Sequence, residues 1–117
     1  MTDRKVENTI PVLGVAELAA AIRFYTEILG FRVDWGGEEG SAVCSVSRDG
    51  CSIMLMADPK NKRSCVWIGM EDDTLFDEFA QNGAEILQEP TNQPWAYEMK
   101  ILDVDGNILW LGTEPKS

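Results

Sequence analysis

The stretch TIPVLGVAELAAAIRFYTEILGFRVDW, residues 9–35, carries the reading of the fold. Its first seven residues, Thr9 to Val15, alternate like a strand, with Pro11 favouring an edge or a strand start. Leu18, Ile22, Tyr25 and Leu29 then recur at helical spacing around three alanines of high helix propensity, and Gly30 is a natural stop. From Phe31 the period returns to two, with Phe31, Val33 and Trp35 on one face and Arg32 and Asp34 on the other. Strand, helix and strand thus follow one another within 27 residues.

Outward from this stretch the pattern continues and then repeats. Gly36 to Gly40 is a turn, and two strands, 42–47 and 52–56, are joined at Asp49-Gly50, a hairpin signal. Asp58 to Arg63 is polar and reads as a linker. A strand at 65–70 leads to Asp72, Asp73 and Thr74, which offer N-cap chemistry to a helix carrying Leu75, Phe76 and Phe79 and ending at Gly83. Strands at 84–88, 95–102 and 108–111 follow, the last two joined by the tight turn Asp103 to Asn107. The repeat offset is about 55 residues: Ile10 answers to Cys65 or Val66, and Asp49-Gly50 to Asp105-Gly106. A unit of about 50 residues with one helix is too small to bury a stable core alone. The expected fold is therefore α+β, one domain over 1–117 built from two tandem βαβββ modules, 7–57 and 64–115, with concave sheets forming a cleft.

Composition narrows the chemistry. The 117 residues carry twenty Asp and Glu against ten Lys and Arg, a net charge of −10, which disfavours nucleic-acid and anionic-membrane partners and favours cationic ligands. There is no histidine, so triads, Cys-His pairs and His-based metal sites are excluded. Three cysteines, Cys44, Cys51 and Cys65, contain no C-x-x-C pair, and free buried thiols in a reducing compartment are expected. No apolar run approaches the roughly 20 residues of a membrane span, and the first residues lack a signal-peptide pattern. The expected location is the cytoplasm.

Ile10-Pro-Val-Leu-Gly-Val-Ala-Glu-Leu18, Phe24-Tyr25, Leu29-Gly30-Phe31, and Trp95 followed by Asp103-Val104-Asp105-Gly106-Asn107 resemble the glyoxalase/bleomycin-resistance/dioxygenase (vicinal oxygen chelate) superfamily. Val104 stands where that family's turn usually has proline. The resemblance agrees with paired modules forming a concave sheet cleft. In the enzymes of the family, His and Glu side chains on four strands hold a divalent metal. Here those positions fall on Ile10, on Met54 or a neighbour one residue away, on Cys65 or Ser64, and on Trp110. None is a carboxylate or an imidazole, and a lone thiol cannot supply three or four donors to a hard or borderline ion. The expected protein is thus a metal-independent, non-catalytic homodimer without cofactor, resembling the drug-sequestering bleomycin-resistance branch and taking a cationic or amphipathic ligand, a bleomycin-type drug among them. An alternative is a metal-dependent lyase, isomerase or dioxygenase of the same superfamily, with oxygens from Glu98 and Asp103 and Cys65 as nucleophile.

Period-two parity selects the candidate ligand-binding residues. With Trp110 facing the cavity, Met54 and Trp67 share its side, and Glu98 faces it from the seventh strand while Tyr97, Met99 and Ile101 face the helix. Trp35 and Asp34 are candidates at the end of the second strand, and Trp95 is a candidate rim residue. Core packing is the competing role for each tryptophan. For Glu98 it is solvation or pairing with Lys100. Asp105, Gly106 and Asn107 are expected to be structural, and Tyr25 to belong to the core.

Overall fold

The computed structural model describes residues 4–58, 60 and 63–117. Two four-stranded mixed sheets of the same topology make up the fold. The first contains β1 (Val12–Val15), β2 (Arg32–Gly36), β3 (Val43–Arg48) and β4 (Cys51–Ala57), in the order β1-β4-β3-β2. The second contains β5 (Cys65–Gly69), β6 (Glu85–Asn92), β7 (Tyr97–Leu102) and β8 (Ile108–Thr113), in the order β5-β8-β7-β6. One helix follows the first strand of each: α1 (Leu18–Arg23), which continues as a π-helical turn over Phe24–Ile28, and α2 (Thr74–Gln81). The tandem βαβββ architecture is as expected.

Differences from the sequence reading are local. The helix after β1 widens in its second half, where Leu29 N–H reaches back to Phe24 C=O, and Arg48 Nη1 then caps Leu29 C=O at 2.6 Å. Gly30, with φ 73°, leaves room for that guanidinium. β1 starts at Val12 rather than Thr9, although Pro11 C=O still accepts Met54 N–H. β6 runs on to Asn92 through Pro90, which an edge strand tolerates because one side of its backbone has no partner. Trp95 consequently stands before β7, in the turn closed by Gln93 N–H on Ala96 C=O. Of the linker expected at 58–63, residues 59, 61 and 62 lie outside the described residues.

One face of each sheet is covered and the other is open. Leu13, Val15, Val46, Ile53 and Leu55 of the first sheet join Met99, Ile101, Leu109 and Leu111 of the second in one core with Leu18, Tyr25, Phe76 and Phe79. Phe76 stacks on Tyr97 at 5.6 Å, so the helix-facing stripe of β7 is the expected one. The modules are stitched together by the 103–107 turn. Asp103 accepts the Tyr25 hydroxyl at 2.8 Å, Asp105 accepts Ala16 N–H, and fully buried Asn107 bridges Gly14 C=O and Ser64 N–H. This turn is structural, and Tyr25 belongs to the core. Cys44 is buried, which pushes its thiol pKa up, but Cys51 and Cys65 are exposed because each opens a strand at the rim of its sheet. The expectation that all three are buried is therefore corrected.

Candidate functional site

The open face of the second sheet collects Trp67, Trp110, Lys100 and Glu98. Trp67 pairs in register with Trp110, and Trp110 with Lys100, so all three side chains leave the sheet on the side opposite the core. The two indoles meet edge to face at 5.4 Å, and the Lys100 ammonium stands 4.8 Å above the Trp110 ring. Trp67 is 49% exposed. Its ring lies across Gly112, where any Cβ would intrude on it. Gly112→Ala is accordingly expected to displace the Trp67 ring and destabilise the protein by about 1–3 kcal/mol. Chemical denaturation with indole fluorescence checks this, and an unchanged midpoint would refute the contact.

Glu98 anchors the polar end of this face. Only 2% exposed, it accepts Trp95 Nε1–H at 2.8 Å on one oxygen and Gln88 Nε2–H at 3.0 Å on the other. Burial by itself would favour the neutral acid. The Trp95 and Gln88 donors, the nearby Trp110 indole and the Lys100 ammonium outweigh it and hold the carboxyl below its ordinary value. Trp110 Nε1 is itself buried and, among the described residues, has no hydrogen-bond partner. Trp95 is 62% exposed, yet its N–H is tied to Glu98, so an otherwise solvent-facing indole is held in one orientation.

The sign of the pH effect follows from the depressed carboxyl. The unfolded chain takes up the proton first, so the stability Glu98 contributes is present above pH about 4.5 and is lost as pH falls through its native pKa. Titration from pH 6 to 3 is expected to release Trp95, with a red shift of its emission. Glu98→Gln should remove that transition, and a variant that titrates like the wild type would exclude Glu98 as the anchor.

The first sheet presents Met54, Val12 and Met56 on its open face. Asp34 is an inserted residue: Val33 pairs with Val46 and Trp35 with Ser45, so strict alternation fails in β2. The bulge lets Asp34 accept hydrogen bonds from Ser47 at 2.8 Å and Ser45 at 3.3 Å, while Trp35 keeps the Ser45 side of the sheet. The reading that put Asp34 and Trp35 on opposite faces is thereby corrected. Arg32 Nε lies 3.7 Å from the same carboxylate.

Of the sequence candidates, Trp67, Trp110 and Glu98 come together, with Trp95 held at their rim. Met54, Asp34 and Trp35 share the other sheet's open face. Lys100, Gln88 and Gly112 complete the arrangement. Parity placed Lys100 on the cavity side, but no local signal marked Gln88 or Gly112. Asp103 is fully engaged by Tyr25, Asn107 and two backbone N–H groups, so it is not available to a reacting site with Glu98. Where the resemblance would put metal ligands, Met54 and Trp110 are half-buried, Cys65 opens β5, and Ile10 precedes β1. A divalent ion does not fit this donor set. Among the described residues, no three Cys, Asp or Glu side chains gather closely enough to hold one. Nor, among these residues, is any helix long and apolar enough to cross a membrane.

Comparison with solved structures returns the same fold at low identity. TioX from Micromonospora sp. ML1 superposes with a TM-score of 0.78 at 18% identity, over 92% of this chain and 99% of that one. TnmS3, an antibiotic binding protein from Streptomyces sp. CB03234, gives 0.76 at 21% identity, over 95% and 99%. A glyoxalase/bleomycin resistance protein/dioxygenase from Nocardioides gives 0.71 at 17%, over 98% and 89%. No curated protein sequence matches. The model of one family matches residues 9–111, nearly the whole of the repeat, and the chain belongs to the glyoxalase/bleomycin resistance protein/dioxygenase superfamily.

Proposed function

We propose that this protein is a metal-independent, non-catalytic binder of small aromatic molecules, cationic or amphipathic, working as a homodimer. The observation that carries the reading is the open indole face itself: Trp67 and Trp110 held edge to face, with Trp95 oriented beside them by a buried carboxylate. Such rings offer stacking surface at little entropic cost, and among the described residues no three acidic or thiol side chains gather to hold a metal ion. The similarity to an antibiotic binding protein supports a drug-like ligand, a bleomycin-type compound among them.

Shape supports the dimer. The molecule measures 48 × 46 × 23 Å with a radius of gyration of 15.0 Å, against about 13 Å for a compact chain of this length. A flattened body with two open sheet faces, both bearing large apolar side chains, is suited to closing each face against a second copy. A thermal-shift screen of bleomycin-type drugs, hydrophobic cations and divalent metals tests the proposal. Aromatic cations are expected to raise the melting temperature by mass action, and the gain should shrink from low to physiological salt. Stabilisation by a transition metal alone, at stoichiometric concentration, would overturn it.

A further inference from the structure

The two ends of the seam between the modules should be alike by the internal repeat, and they are not. At one end Asn107 stitches β1 to β5, donating to Gly14 C=O at 3.0 Å and accepting Ser64 N–H at 2.9 Å. The strand registers Val12↔Met54 and Trp67↔Trp110 map Gly14 onto Gly69, Ser64 onto Thr9 and Asn107 onto Cys51. Cys51 is exposed, and among the described residues its thiol makes no hydrogen bond to either edge. Instead of a stitch, this end holds a cavity of about 360 Å³ lined by Thr9, Cys51 and Gly69, with Ile10, Phe31 and Trp67 among its apolar walls.

By the repeat, Thr9 N–H and Gly69 C=O are the counterparts of the two groups that Asn107 satisfies at the other end. Ile108 N–H donates to Ser64 C=O and Met70 N–H to Gly112 C=O, so the even-numbered residues of β5 face β8. Trp67 and Gly69 therefore turn their own backbone groups towards the seam. A thiol is shorter than a carboxamide and a poor donor, so Cys51 cannot do what its counterpart does. The volume lies in the range of small-molecule sites, and its walls are mostly apolar.

We infer that this cavity is a second ligand site, bordering the open indole face at Trp67, for a small planar compound bearing a primary or cyclic amide. The amide N–H donates to Gly69 C=O and its oxygen accepts from Thr9 N–H, reproducing the Asn107 contacts, while the ring lies against Ile10, Phe31 and Trp67. The inference does not depend on the ligand class proposed for the indole face.

The test is an amide-resolved NMR titration of the full chain with 2-naphthamide, 2-naphthoate and 2-methylnaphthalene. The amide is expected to shift the Thr9 and Gly69 signals saturably and to bind at least tenfold more tightly than the acid or the hydrocarbon. Cys51→Asn, which restores the missing stitch, should abolish those shifts, while Cys51→Ser retains them. Equal binding of the three probes, shifts confined to the strands around Lys100 and Trp110, or no saturable shift would each overturn the inference. The wild-type titration decides the matter even if Cys51→Asn does not fold.

Discussion

Asp103→Ala is expected to lower unfolding free energy by about 3–5 kcal/mol, a large part of the roughly 5–15 kcal/mol typical of a domain this size. The carboxylate is buried and receives four donors: the Tyr25 hydroxyl, Asn107 Nδ2–H, and the backbone N–H groups of Asp105 and Asn107, at 2.8–3.0 Å. Alanine strands all of them in a turn that itself joins the two modules, and each stranded buried donor costs about 1–3 kcal/mol. Urea denaturation measures the loss, and a change under 1 kcal/mol would mean the turn does not hold the modules together. Tyr25→Phe is the control, removing one donor with its acceptor left satisfied by others. Burial, reinforced by the Asp103 charge, pushes the Tyr25 pKa well above 10. Its stabilising contribution is thus complete below pH about 10 and lost above it, and Tyr25→Phe should flatten that alkaline decline.

The second large effect concerns binding. Trp110→Ala removes the ring that Trp67 meets edge-on and that Lys100 overlies, so one substitution dissolves the centre of the indole face. Affinity for an aromatic cation is expected to fall by about 1–3 kcal/mol, the range measured when a stacking aromatic is deleted. Trp110→Phe should recover part of it. Isothermal titration of the folded variant is the measurement, and an affinity within twofold of wild type would place the ligand elsewhere. The core should tolerate the change, because Trp110 points away from it, its neighbours Leu109 and Leu111 being the buried pair.

Much of this arrangement is legible in the order of residues alone because the physics involved is local. The switch from period two to period 3.6 and back in residues 9–35, and its recurrence after residue 64, specifies strands and helices by which side chains must leave water together. Parity in β7 and β8 separates Met99, Leu109 and Leu111 from Glu98 and Trp110, and the structure keeps that division. Parity fails at Asp34, where the bulge depends on how β2 meets β3 across eleven residues of chain, and no local pattern encodes that. The extension of β6 through Pro90 escapes for a related reason: a proline argues against a strand unless the strand is known to be an edge.

Residue order alone was enough for the repeated βαβββ plan and for the exclusion of histidine chemistry. These depend on residue identity and spacing, which folding cannot alter. Three-dimensional packing was needed to show which donors satisfy Glu98, that Gly112 lies beneath the Trp67 ring, and that Asn107 closes one end of the seam while Cys51 leaves the other open. Each of those joins groups brought together by strand register or by module packing, and such contacts exist only once the two halves have been assembled.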